Sequence, residues 1–329
     1  MNIFTIDNES QLPENADVLV KQLLAGGGVR AAAVHLSHTW QAILAGRNLP
    51  PAVLSMLGEM CAASAVLAAT LKFNGALVLQ IMGDGPVKLA VVECDADMRI
   101  RAAIKLREGM EISADANFQS LVNVTGQGRC AVVLDPKDKL PGQTPYTGIV
   151  ALNGKTVAAC LEHYMKTSEQ LSSKIVLSAN NTAAAGLLVQ KMPVTGGTRV
   201  LTANLETGIE EDLDEVNDEN WLRVQHHVAT LKPAEQLHID APTLLHRLFW
   251  EENAQATEGR RVAFACTCSR HKVGDMLLRL GRAEVDSILS ERETIEVQCD
   301  YCDQSYEFDA IDAAVLFKAN AAAGADSLN

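Results

Sequence analysis

Four of the eight cysteines fall within 37 residues as two short-spaced pairs, Cys266-Thr267-Cys268 and Cys299-Asp300-Tyr301-Cys302, with the 30 residues from Ser269 to Gln298 between them. No other feature constrains the chain as much. Two thiol pairs brought together by the fold supply the four soft ligands of a tetrahedral site, for which zinc at about 2.3 Å from each sulfur is the usual occupant. The intervening stretch is long enough for a helical excursion and a returning strand. A competing reading takes Cys299 and Cys302 as a thioredoxin-like dithiol, a motif that should open a helix after a core strand. Here the residues from Asp303 to Phe308 read as a strand instead. Cys61, Cys94, Cys130 and Cys160 are scattered singly, and Cys61 and Cys160 sit in apolar company that marks them as buried structural thiols.

Ahead of the cysteine pairs the chain reads as mixed α and β. Pro50-Pro51 opens a helix whose only charge before Lys72 is Glu59, so it should be hydrophobic nearly all round and lie at the centre of a core. Alternating strands are expected at Ala76 to Met82 and Val87 to Glu93, joined by Gly83-Asp84-Gly85-Pro86. Further strands are expected at Met98 to Leu106, Cys130 to Leu134, Ile149 to Leu152, Ile175 to Ser178 and Leu187 to Val189, with a helix over Val157 to Gln170. Gly148 to Thr156 resembles a P-loop but has five residues between its glycines instead of four, and an Asn153-Gly154 hairpin turn accounts for it better.

The composition then shifts. Glu206 to Glu219 holds eight acidic residues in 14 and no Lys or Arg, which predicts a solvated, weakly ordered linker. Two amphipathic helices should follow, Trp221 to Leu231 and Pro242 to Glu251, and the second must dock through Leu244, Leu245, Leu248 and Phe249. A last small unit runs from about Arg261 to Phe317, with a frayed tail behind it. The expected architecture is therefore α+β: an N-terminal sheet-and-helix domain (1–200), an acidic and helical linker (201–258) and a small C-terminal zinc-binding domain (259–329).

Charge narrows the function. With 28 Lys+Arg against 41 Asp+Glu the net charge is −13, which repels phosphate backbones and anionic lipid, so neither nucleic acid nor membrane is an expected partner. The segment MNIFTIDNES lacks the basic and apolar regions of a signal peptide, and a cytoplasmic location, where thiols stay reduced, is the expectation. No Gly-x-Ser-x-Gly elbow is present, and the histidine pairs His35/His38 and His226/His227 lack partners at metal-ligand spacing.

The stretches LKFNGALVLQIMGDGPVKLAVVECDADMRIRA (Leu71 to Ala102), YTGIVALNGKTVAACLEHYMKTSEQL (Tyr146 to Leu171), FACTCSR, EVDSILSE and CDYC closely resemble the heat shock protein 33 family of redox-regulated chaperones. The resemblance covers nearly the whole chain and is weakest over Leu201 to Glu219; His271-Lys272 is a local departure from the family's pattern. It implies an ATP-independent holdase and no enzyme, with one zinc per reduced chain on Cys266, Cys268, Cys299 and Cys302. It also implies disulfides Cys266–Cys268 and Cys299–Cys302 on oxidation, a reduced inactive monomer, an oxidised active dimer, and unfolding client proteins as partners. The readings set against it are a thiol-disulfide oxidoreductase and a zinc-ribbon nucleic-acid-binding regulator.

Overall fold

The computed structural model describes residues 17–24, 28–71, 74–113, 115–138, 144–193, 201–203, 210–252, 254–256 and 259–326. The architecture is the expected α+β, in two compact units, Met1–Ala265 and Cys266–Asn329.

In chain order the first unit contains β1 (Val18–Leu24), β2 (Val29–Leu36), α1 (His38–Leu44), α2 (Pro51–Thr70), β3 (Gly75–Met82), β4 (Val87–Asp95), β5 (Arg99–Leu106), α3 (Phe118–Val122), β6 (Arg129–Pro136), β7 (Tyr146–Val150), α4 (Val157–Thr167), β8 (Ser173–Ala179) and β9 (Ala184–Lys191). It continues through β10 (Leu201–Ala203), β11 (Glu210–Asp212), α5 (Leu213–Ala229), α6 (Pro233–His238), α7 (Ala241–Phe249), β12 (Gln255–Ala256), β13 (Arg260–Arg261) and β14 (Ala263–Phe264). One sheet runs β12-β1-β2-β9-β8 with β13 also on β1; the other runs β14-β5-β4-β3-β6-β7.

Helix α2 lies between the two sheets and packs on β2, β8 and β9 of one and β3, β4 and β5 of the other. A helix enclosed on both sides needs apolar residues around its whole circumference, which its sequence supplies. By length and composition it would also cross a membrane, yet most of it is buried in this core. At Gly58 an added Cβ would come within 2.4 Å of the Ala179 Cβ, so glycine sets how closely α2 approaches β8.

The first sheet is buried on both faces. Leu19, Ala32, Val34, Leu36 and Leu188 point into the α2 core. Val20, Leu24, Val29, Ala31, Ala33, Leu187 and Val189 face the other way, beneath Trp221, Val224, Val228, Leu244, Leu245 and Phe249 of α5 and α7. Strands buried on both faces lose the apolar–polar alternation that marks a half-buried strand. That is why the β1–β2 hairpin carried no readable period.

Several expectations need correction. Helix α5 begins at Leu213, eight residues before the expected start, and so takes up much of the acidic stretch. Acidic side chains such as Glu215 suit the positive end of a helix, so the charge that argued for a loose linker favours the first turns here. The Asn153-Gly154 turn leads from β7 into α4 rather than closing a hairpin. Residues 260–264, expected with the zinc unit, pair with β1 and β5.

The second unit holds α8 (Arg270–Leu280), α9 (Arg282–Glu291), β15 (Thr294–Gln298), β16 (Ser305–Asp309) and α10 (Ala310–Asp326). Helix α10 runs through most of the tail that was expected to fray. The fully enclosed core of this unit is small: Leu277, Val285, Ile295, Phe308 and Ala313, with partly buried neighbours such as Val273 and Leu316.

Candidate metal centre

Strands β15 and β16 pair in antiparallel register down to Gln298 opposite Ser305, leaving Cys299 to Gln304 as the turn. The Cys299 amide donates to the Gln304 carbonyl at 2.9 Å and the Asp303 amide to the Cys299 carbonyl at 2.9 Å. Asp303 takes the left-handed conformation, φ +57°, which aspartate tolerates better than most residues. The turn folds back on itself and turns Cys299 and Cys302 toward one point. Cys302 is followed by a strand and not by a helix, so the dithiol lacks the helix N-terminus that activates thioredoxin-like cysteines.

The other pair is set by the start of α8. Ser269 caps that helix by accepting the Lys272 amide at 3.2 Å, and the Lys272 ammonium donates back to the Thr267 carbonyl at 2.7 Å. Arg270 locks the helix to the hairpin side: it donates to the Glu307 carbonyl at 2.6 Å, pairs with Asp312 at 2.6 Å and lies 4.2 Å over the Phe308 ring.

All four Sγ atoms lie within 4.8 Å of one another. Cys266 is 3.6 Å from Cys299 and Cys268 is 3.4 Å from Cys302, so the close contacts run between the two pairs. A tetrahedron with metal–sulfur bonds of about 2.3 Å has sulfur–sulfur edges of about 3.8 Å. The cluster fits such an ion with little adjustment.

The thiols are unequal. Burial pushes Cys266 up, and burial with the neighbouring sulfurs pushes Cys302 up to about 12. Burial also acts on Cys268, but the Tyr306 hydroxyl, 3.1 Å from its sulfur, and the other cysteines outweigh it and bring Cys268 down to about 7. One thiolate therefore forms readily, and four together call for a cation among them. Tyr306, on β16, is the contributor that cysteine spacing alone did not point to. The remaining cysteines are in the core of the first unit, where burial pushes Cys94 and Cys130 up to about 12 and raises Cys61 and Cys160 too.

Of the histidines set aside from the sequence, His35, His38 and His227 have structural partners. His35 is buried and its Nε2 lies 3.0 Å from the Leu237 carbonyl, while His38 meets Asp17 at 3.2 Å.

A family profile described as Hsp33 protein matches residues 17–309. A 33 kDa chaperonin of Chromobacterium violaceum is 41% identical over 310 residues, covering 94% of this chain and 96% of its own. Another from Methylobacillus flagellatus is 38% identical, covering 92% and 94%. The crystal structure of the 33 kDa chaperonin (heat shock protein 33 homolog) from Thermotoga maritima aligns with a TM-score of 0.74 over 93% of this chain and 99% of that one, at 20% identity, which is a likeness of fold. A profile that spans both units, with relatives of this identity matched nearly end to end, means that the chain belongs to the Hsp33 family of chaperones.

Proposed function

We propose that the chain is a redox-regulated, ATP-independent holdase, held inactive when Cys266, Cys268, Cys299 and Cys302 carry one zinc ion and activated when these thiols are oxidised. The observation that carries this reading is a four-sulfur cluster in a unit with a very small core. Bound zinc would keep four thiolates together and cross-link the start of α8 to the β15–β16 turn. A structural zinc site supplies about 10–16 kcal/mol of folding free energy, against about 5–15 kcal/mol for the whole stability of an ordinary domain. The second unit should not stay folded without it.

Oxidation removes the ligands themselves. Two equivalents of a two-electron oxidant such as hydrogen peroxide take four electrons from four cysteine sulfurs, form two S–S bonds and are reduced to water. We assign the bonds as Cys266–Cys268 and Cys299–Cys302. The close sulfurs in the folded unit are the other way about, so the proposed bridges require the cluster to come apart.

Just upstream of Cys266 the strands β12, β13 and β14 are two residues long each. Among them Val262 is buried, donates to the Asp17 carbonyl at 2.7 Å and accepts from the Thr39 hydroxyl at 3.1 Å. Loss of the second unit frees this strap and loosens α5 to α7. The face of β1, β2 and β9 beneath them is apolar and suits unfolding clients. The oxidised form would be a dimer and the reduced form a monomer, in the cytoplasm, with no turnover chemistry.

Timed peroxide exposure with peptide mapping tests the order of events. Short loops close at least entropic cost, so Cys299–Cys302 should form first. Cys266–Cys268 is the more strained spacing and should form second, faster in the heat. A dominant bridge between the pairs, or equal activation in the cold, would overturn the order. Tyr306→Phe should weaken zinc retention about 10–100-fold in a chelator competition, as losing an outer partner of a metal ligand does. Unchanged retention would show that the hydroxyl at 3.1 Å does not support the site.

A further inference from the structure

At the far end of α2 from Pro51 the two sheets part around a cavity of 190 Å³ whose lining includes Leu67, Leu77, Leu134 and Met165. Arg30, on β2, also lines it. The guanidinium has five N–H groups. One nitrogen donates to the Thr70 carbonyl at 3.3 Å and another to Gln190 Oε1 at 2.6 Å, while the buried Nε has no hydrogen-bond partner. Among the described residues no carboxylate pairs with it. Burial lowers Arg30 from its usual range, but guanidinium remains charged at any ordinary pH.

The cation is held in place rather than loose. Gln190 is Arg30's partner across the β2–β9 ladder, is 1% exposed, and fixes its own amide by donating to the Ser173 hydroxyl at 3.0 Å. A fixed, half-buried positive charge that pairs with no carboxylate among the described residues, beside a mainly apolar cavity, has donor capacity to spare. It suits a ligand with one anionic head and an apolar body. Guanidinium matches carboxylate best, through paired N–H donors. Glu169, also in the lining and exposed, accepts the Tyr164 hydroxyl at 2.6 Å. A second negative charge on the ligand would meet it. A cavity of this volume has room for several waters, enough for an acid of hexanoate size.

We propose that this cavity binds a small apolar monocarboxylate, its head on Arg30 and its hydrocarbon body between the two sheets. This is independent of the metal centre and of the redox switch. The test titrates hexanoate and hexan-1-ol into the reduced full-length protein and follows the Met165 methyl resonance by NMR. Hexanoate should shift it saturably and bind at least tenfold more tightly than the alcohol. Arg30→Met, which keeps length and removes charge, should reduce hexanoate to the level of the alcohol. No saturable shift, or equal affinities of acid and alcohol in the unmodified protein, would overturn the proposal whether or not the variant folds.

Discussion

Reduced protein carrying Cys266→Ser and Cys299→Ser will contain no zinc, and its second unit will be digested by protease at once, with cuts also in α5 to α7, while the two sheets and α2 of the first unit survive. These sulfurs sit 3.6 Å apart and come one from each pair, so the double change leaves one thiolate on each side of the cluster. Two thiolates do not hold zinc tightly, and hydroxyl ligands are poor substitutes for sulfur. The folding free energy at stake, about 10–16 kcal/mol, exceeds what five enclosed core residues can replace. Zinc content by atomic absorption and limited proteolysis of the two units check the result. Full zinc occupancy would remove these residues from the site. Acid should act in the same direction. Ligation depresses thiol pKa values in the folded state, so its contribution is present at neutral pH and lost as pH falls and protons compete for the sulfurs. Serine at Cys61, Cys94, Cys130 or Cys160, all buried in the other unit, should leave zinc content unchanged.

What the sequence made legible follows from where each segment is buried. The cysteine spacing predicted a cluster because a metal site needs only ligand type and proximity. The β3–β4 hairpin was readable because Leu77, Leu79 and Ile81 alternate with less buried positions. Strands β2 and β9 were not, or only partly, because helices cover the sheet on both faces and, apart from Arg30, His35, Gln190 and Lys191, every position is apolar or small. The start of α5 was missed for a different reason. Acidic density alone reads as a solvated, weakly ordered linker, whereas helix polarity makes the same residues compatible with an N-terminal turn. Tyr306 and Gln236 were out of reach altogether. Gln236 is fully buried, accepting the Ser178 hydroxyl at 2.8 Å and donating to the Val176 carbonyl at 2.9 Å, which pins α6 to β8. A polar residue in a polar-looking linker gives no hint that its partners lie some 60 positions away.

That pinning bears on the second large effect. If α5 to α7 cover the surface that binds clients, Leu245→Asp with Phe249→Asp should turn the protein on without any oxidant. Leu245 is 0% exposed and Phe249 1% exposed, both against the outer face of the first sheet. Truncating either to alanine would cost about 2–5 kcal/mol, and a buried unpaired carboxylate costs more. The two are neighbours on one helix face, so their costs need not add. Opposing them are the Gln236 bonds and the ion pair of Arg223 with the buried Glu252, at 2.7 Å, which ties α5 to the end of α7. That pair holds the helices to each other, not to the sheet, so it does not prevent them from lifting together. The reduced, zinc-loaded variant should suppress aggregation of a heated client and be cut by protease within residues 213–252. Leu222→Ser with Trp250→Ser is the control, since these side chains are 56% and 68% exposed and removing them uncovers nothing. A reduced Leu245/Phe249 variant that stays inactive and keeps the unmodified cleavage pattern would show that the covered sheet face is not the switch. Activity equal in the control would show that any loss of apolar surface from these helices suffices. Activity confined to the first variant would mean that undocking alone exposes the client surface, and that the metal centre acts only by keeping the helices in place.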